Sequence, residues 1–138
     1  MNKYYAMKQR HEKEINSFPM FSAFNEKQFA RGMKKLGLEE KDTDKIYHNG
    51  YGGFYRKTDS DKLFDMLNKL DAELQESMKD PDFAFQAFDY ELANHEYNYT
   101  MDHSDALEAL GLTEQEIREN PMLAEALKKA KANQYDCF

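Results

Sequence analysis

The chain has 138 residues, enough for one domain with its own core, and a hydrophobic share of 41% with 14% aromatics is too high for a disordered chain. No apolar run approaches the roughly 18 residues that cross a bilayer, and the N-terminal stretch lacks the hydrophobic core of a signal peptide. The lone cysteine, Cys137, excludes a disulfide framework and a Cys-rich zinc site. We therefore expect one mainly α-helical domain over residues 1–138, in the cytoplasm and without membrane contact.

The net charge of -7 is unevenly distributed along the chain. Residues 1–57 carry 12 Lys and Arg against 7 Asp and Glu, whereas residues 58–125 carry 4 against 18. Residues 126–138 form a short basic tail with a net charge of +2. The acidic segment should attract a basic partner and repel nucleic acid, because it sets the sign of the surrounding field. The plain alternative is that these acids only solvate the surface.

Apolar residues at spacings of three and four predict about six helices, and capping side chains mark where several of them begin. The first helix covers residues 3–15, and a second starts at Asn25 and ends at Gly37. A short helix is predicted over residues 39–47. The remaining helix starts are marked by Thr58 to Ser60, Asp80 with Pro81, Ser104 with Asp105, Thr113 with Glu116, and Pro121.

One small β-hairpin is predicted over residues 46–57, where aromatic runs flank Asn49-Gly50 and Gly52-Gly53. The apolar run before it, residues 18–24, is predicted to be a buried connector. The hairpin offers a candidate contact tip made of aromatic and basic side chains, the residue types common at protein interfaces. These are Tyr51, Phe54, Tyr55 and Arg56.

No arrangement of side chains specifies a reaction. The glycine cluster lacks the glycine that must directly precede the lysine of a phosphate-binding loop, and no nucleophile lies in a recognisable motif. Glu91 and His95 are spaced one residue further apart than the Glu and His of a di-iron helix. We therefore expect no catalysis, cofactor or metal, and keep a small metal-dependent enzyme around His95 and His103 as the third alternative.

A helix–turn–helix reading of the chain is also disfavoured. The helix corner at residues 33–40 is echoed at residues 107–114, and a glycine turn of this kind occurs in DNA-binding pairs of helices. Arg31, Lys34 and Lys35 would suit phosphate contacts, but the second copy continues with mostly acidic residues. We expect no direct binding of nucleic acid.

The acids of residues 59–125 form the candidate partner-binding face. Most of those on the long leucine-rich helix lie off its apolar stripe, so we expect them to be exposed. The alternative is self-association, as a homodimer, through aromatic and methionine side chains. The candidate contacts are Asp59, Asp61, Asp65, Asp71, Glu73, Glu76, Asp102, Asp105 and Glu108.

Four stretches carry a resemblance to a known family: FPMFSAF, QFARGMKKLGL, the segment from DKIY to GGFYRKTDS, and FDYELANHEYNYT followed by DALEALGLTEQEI. Together they cover about residues 15–118 and resemble short proteins encoded by phages and other mobile elements of Gram-positive bacteria. No residue role carries over from that family. The resemblance implies an accessory protein that inhibits a host CRISPR effector or restriction enzyme, in whose basic channel carboxylates would replace phosphates.

Overall fold

The computed structural model describes residues 1–50 and 52–136. Helices account for 69% of the structure, which confirms the mainly helical class. The prediction of about six helices is too low, because eight lie within the described residues. They are α1 (Lys3–Asn16), α2 (Glu26–Lys35), α3 (Ser60–Ser77), α4 (Pro81–Asn94), α5 (Tyr97–Thr100), α6 (Ser104–Ala109), α7 (Glu114–Glu119) and α8 (Pro121–Asp136).

Side-chain caps fix several of the predicted helix starts, but the predicted cap by Ser104 or Asp105 is wrong, because the N-cap residue of α6 is His103 and makes no side-chain cap. The Asn25 side chain accepts a hydrogen bond from the Gln28 amide at 2.8 Å, which begins α2. Thr113 and Glu116 form a reciprocal capping box at α7, each side chain accepting from the other's backbone N–H. Gly37, just past α2, has a φ of 77°, a conformation that side chains disfavour. Local chemistry therefore sets these boundaries.

The helix predicted over residues 39–47 is wrong. Only a 3₁₀ turn forms there, at Thr43–Lys45. The Asp42 carboxylate accepts a hydrogen bond from the Glu39 amide at 2.9 Å, a local contact that competes with helix formation. The same hydrogen bond is the main cause that lowers the pKa of Asp42 below its ordinary value.

The chain forms two compact units. The first, called here the helical unit, contains residues 1–11 together with the chain from Asp71 onward. In it, α4 packs along α8 and against α6. Its core is closed by residues without solvent exposure, including Phe88 and Leu92 of α4 and Ala130 of α8. Ala130 lies in the short basic segment of the sequence, on the helix predicted to begin at Pro121.

The second unit, called here the sheet unit, spans Glu12–Leu70. The predicted hairpin is present as β2 (Ile46–His48) and β3 (Gly53–Arg56). It is extended by β1 (Met20–Ser22), which comes from the run predicted as a buried connector. The strands are antiparallel in the order β1-β3-β2. The sequence-based prediction of a lone hairpin is thus corrected to a three-stranded sheet.

A row of three rings explains why β1 joins the hairpin. Phe21 and His48 each pair with Phe54 in the strand register, with ring centroids 5.2 and 4.5 Å from it. Helix α2 covers this row, because the Phe29 ring lies 5.2 Å from Phe54. At Gly32 a Cβ atom would overlap the Phe21 ring, so only glycine lets the helix come this close.

Candidate protein-binding surface

The excess of acid belongs to the helical unit. That unit has 16 Asp and Glu against 8 Lys and Arg, a net charge of -8, whereas the sheet unit has 10 against 11. This distribution differs from that along the sequence, because α8 brings the lysines of residues 128–131 into the acidic unit. The field that an approaching molecule meets at the helical unit is therefore strongly negative.

Five of the nine predicted contact acids are exposed and take part in no ion pair or hydrogen bond with any described residue. Their carboxylates remain free to meet a partner's cations. They divide between the two units, with Asp61 and Asp65 in the sheet unit and Asp71, Asp105 and Glu108 in the helical unit.

Asp59 is buried, contrary to the exposure expected for it, with 8% of its surface accessible. Its carboxylate accepts a hydrogen bond from Nε of Arg56 at 2.7 Å. Arg56 also donates from Nη1 to the Leu36 carbonyl at 3.2 Å. The reason is the 3₁₀ turn between strand β3 and α3, which brings the two charged side chains together three residues apart. This pair links strand β3 to the turn before α3 within the sheet unit.

The other three predicted acids have internal partners. Glu73 pairs with Arg10, and Glu76 lies 2.8 Å from the Lys79 ammonium. Asp102 accepts a hydrogen bond from the Ser104 amide at 2.8 Å. The Ser104 side chain and amide lower the pKa of Asp102 below its ordinary value, which keeps it charged to lower pH. These carboxylates are partly committed to the fold.

Asp71 lies on α3, and Asp105 and Glu108 lie on α6, two elements that contact each other within the helical unit. A hydrogen bond of 3.1 Å from the Gln75 side chain to the Leu110 carbonyl joins the two elements. A Cβ atom at Gly111 would lie 3.9 Å from the Asp71 carboxylate. A shallow pocket of about 320 Å³ opens here. It is lined by Ser104, Leu107, Glu108, Gly111, Leu112 and Glu114.

Helix α5, close in sequence to these acids, carries exposed apolar side chains on a strained backbone. Glu96 and Met101, which flank α5, have φ values of 55° and 57°. This left-handed region costs a non-glycine residue roughly 1–2 kcal/mol. Tyr99 on α5 is 82% exposed, and Met101 accepts a hydrogen bond from the Tyr135 hydroxyl at 3.0 Å. Strain of this kind is concentrated at contact sites, which makes α5 a candidate flank of the acidic surface.

The structure describes three of the four residues predicted to form the contact tip of the hairpin. Tyr51 lies outside the described residues. Phe54 packs towards α2, and Arg56 is held by Asp59. Tyr55 lies on the opposite face of the sheet from Phe54, 5.8 Å from the ring of Tyr47. The more exposed ring of that pair is Tyr47, which the prediction omitted.

A buried carboxylate cluster in the helical unit escaped the sequence analysis. Glu91 has no solvent exposure, and its Oε1 accepts hydrogen bonds from the Lys8 ammonium at 2.9 Å and the Tyr4 hydroxyl at 3.1 Å. Its Oε2 lies 3.3 Å from Nε2 of His95, without hydrogen-bond alignment. Burial, followed by the Glu91 charge, raises the pKa of Tyr4 above its ordinary value. The available signal was a glutamate on the Phe88 stripe of α4.

The two histidines singled out for metal binding have different carboxylate partners. His95 lies beside Glu91, and His103 pairs with Glu114. Among the residues that the structure describes, no three His, Cys, Asp or Glu side chains are grouped as ligands of a metal ion. Each histidine therefore lies beside one carboxylate, and the two carboxylates are on different helices.

In the described part of the chain, no helix combines the length and the apolar character needed to cross a bilayer.

The comparison of the chain with known proteins rests on its sequence. No curated protein and no solved structure matches the chain. One family model matches residues 3–133, which is nearly the full length. The chain therefore belongs to the family of unknown function DUF7659.

Proposed function

We propose that the protein is a non-enzymatic binding protein whose helical unit docks on a basic surface of a nucleic-acid-handling host protein. The observation that carries the proposal is the set of exposed, unpaired carboxylates of Asp71, Asp105 and Glu108 in a unit with a net charge of -8. Because no cation among the described residues pairs with them, their attraction is available to Lys and Arg of a partner.

The partner proposed is a bacterial enzyme whose channel normally holds nucleic acid, such as a CRISPR effector or a restriction enzyme. Such channels hold phosphates with basic side chains, which carboxylates on a folded scaffold can also engage. Inhibition follows because the two anions compete for one surface. The protein would then act as an accessory factor of a phage or another mobile element.

The test is capture from a Gram-positive bacterial lysate with the wild type and with Asp105→Lys/Glu108→Lys. The wild type should retain a nucleic-acid-handling protein at 50 mM salt and lose most of it at 300 mM, because salt screens exposed charges. The double variant should not retain it. The matched control is Glu12→Lys/Glu40→Lys, which changes the net charge equally at exposed, unpaired acids of the sheet unit.

The captured protein then enters a competition assay with a labelled oligonucleotide that it binds. Wild-type protein should displace the oligonucleotide, and the Asp105→Lys/Glu108→Lys variant should not. Formation of a ternary complex, in which the oligonucleotide stays bound, would contradict mimicry of nucleic acid. Equal capture by both double variants would show that the acids of α6 are only a solvated surface.

Self-association is the second candidate, favoured by the 82% exposure of Tyr99 and the 53% exposure of Met101. The two side chains are close in sequence, and contiguous apolar patches mark contact surfaces. Sedimentation should then show a dimer that persists or strengthens from 50 to 300 mM salt. A Tyr99→Ser variant should shift it towards monomer, and a wild type that sediments as a monomer throughout would exclude this candidate.

A further inference from the structure

The outward face of α2 in the sheet unit is uniformly basic. At 100° per residue, its four cations fall within an arc of roughly 100° on the helix. The opposite side carries Met33, which has no solvent exposure, and Phe29, which packs on the ring row of the sheet. The four cations are Lys27, Arg31, Lys34 and Lys35, all exposed.

None of these four side chains forms an ion pair with a described residue, although the chain has more acids than bases. Other cations of the sheet unit do find partners, for example Lys69 with Glu14 and Lys45 with Asp42, each at 3.5 Å. Like charges four residues apart, as in Arg31 and Lys35, also destabilise a helix. A helix that only needed solvation would carry mixed charges here.

Two shallow clefts lie next to the basic face. Arg31 and Lys35 line a shallow pocket of about 260 Å³ with Gln28. Lys35 also lines a second pocket of about 370 Å³ with Asn16 and other residues. Ammonium, guanidinium and amide groups all donate hydrogen bonds, and phosphate oxygens accept them. The clefts therefore add donors beside the charged stripe.

We propose that this face of α2 binds the phosphate backbone of a nucleic acid. An anionic membrane is the less suitable polyanion, because a helix that lies on lipid must insert its apolar face, and here that face is packed on the sheet. The expectation of no direct nucleic-acid binding rested on the acidic residues after the second helix corner, which belong to the helical unit and not to α2. The binding uses residues of the sheet unit and is independent of the acidic surface of the helical unit.

Its expected signature is a steep dependence on salt. If four cations each neutralise one phosphate, the logarithm of the association constant should fall against the logarithm of salt with a slope of about -3.6 for a duplex and -2.8 for a single strand. Removing two of the four cations should halve the slope. Measurements start at 50 mM salt, where exposed charges are only weakly screened.

Fluorescence anisotropy with labelled 20-nucleotide single strands and duplexes tests the proposal on the full chain. Arg31→Gln/Lys35→Gln should weaken binding by at least about tenfold and halve the slope. Arg31→Lys/Lys35→Arg, which keeps the charges, should bind like the wild type. The matched control Lys128→Gln/Lys129→Gln removes two exposed, unpaired cations from α8 and should leave affinity and slope unchanged.

Far-UV circular dichroism confirms that each variant keeps its helices, so a loss of binding is not a loss of fold. The proposal is overturned if the wild type binds neither oligonucleotide at 50 mM salt. Equal losses in the α2 and α8 variants would also overturn it, because net charge alone would then explain binding. Tighter binding to phosphatidylserine vesicles than to either oligonucleotide would assign the face to lipid instead.

Discussion

Replacing Lys8 by methionine tests how the buried Glu91 carboxylate is tolerated. The change removes the ammonium that lies 2.9 Å from Oε1 of Glu91 and keeps a side chain of similar length. Glu91 would then remain buried with the Tyr4 hydroxyl as its hydrogen-bond donor and His95 nearby. We expect Lys8→Met to lower the free energy of unfolding by about 2 kcal/mol.

That magnitude follows from the position of the pair between two limits. Removing one partner of a fully buried ion pair costs about 3–5 kcal/mol, and a surface pair contributes about 0–1 kcal/mol. The Glu91 side chain has no exposure, whereas that of Lys8 is 42% exposed, so the cost should lie between the limits. The Lys8 ammonium also lies 5.3 Å from the Tyr90 ring, a contact that adds about 0.5 kcal/mol.

A double-mutant cycle with Glu91→Gln isolates the charge interaction. The amide keeps the size of Glu91 and an acceptor for Tyr4 but carries no charge, so Lys8→Met should cost less than about 1 kcal/mol in this background. Urea unfolding followed by far-UV circular dichroism measures all four proteins, with Lys13→Met as an exposed control on α1. If Lys8→Met costs the same in both backgrounds, the reasoning about the buried charge is refuted.

Three further changes test other parts of the fold. Arg31→Glu should raise the free energy of unfolding, measured in urea, by about 1 kcal/mol, because the repulsion between residue 31 and Lys35 becomes an attraction. A free energy of unfolding below that of the wild type would contradict the charge argument. Gly32→Ala should lower the free energy of unfolding by about 1–2 kcal/mol, because the overlap of the new methyl group with Phe21 outweighs the better helix propensity of alanine. A melting temperature above that of the wild type would contradict this. Above pH 10 the folded protein keeps the Tyr4 proton that the unfolded chain loses, so wild-type stability should fall with rising pH. Tyr4→Phe should reduce that fall between pH 9 and 11, and identical urea midpoints in both proteins across this range would argue against it.

The sequence predicted the features that depend on near neighbours. The Asn25 cap of α2 and the Thr113 capping box of α7 need only residues three positions away, and both form as predicted. The helix predicted at residues 39–47 failed because Asp42 offers the backbone a competing hydrogen bond. The Asp42 side chain is visible in the sequence, but helix propensity alone does not predict whether its hydrogen bond or the helical one forms.

Features that depend on distant partners could not be predicted in the same way. Strand β1 forms because Phe21 meets Phe54, 33 positions further along the chain. Asp59 lies off the apolar stripe of the long leucine-rich helix, which predicts exposure. Its burial depends on the 3₁₀ turn before that helix, which the spacing of apolar residues does not show. The buried environment of Glu91 depends on contacts such as that with Tyr4, 87 positions away. It therefore follows only from the folded helical unit.

The chain order of the two units has a consequence for synthesis. The sheet unit is continuous, so its contacts are complete once Leu70 has left the ribosome. Residues 1–11 belong to the helical unit and meet Glu91 only after about 80 more residues have been added, on the order of ten seconds at usual translation rates. During that interval Tyr4 lacks its partners on α4. Residues 1–11 are therefore packed only after the whole of the sheet unit has been made.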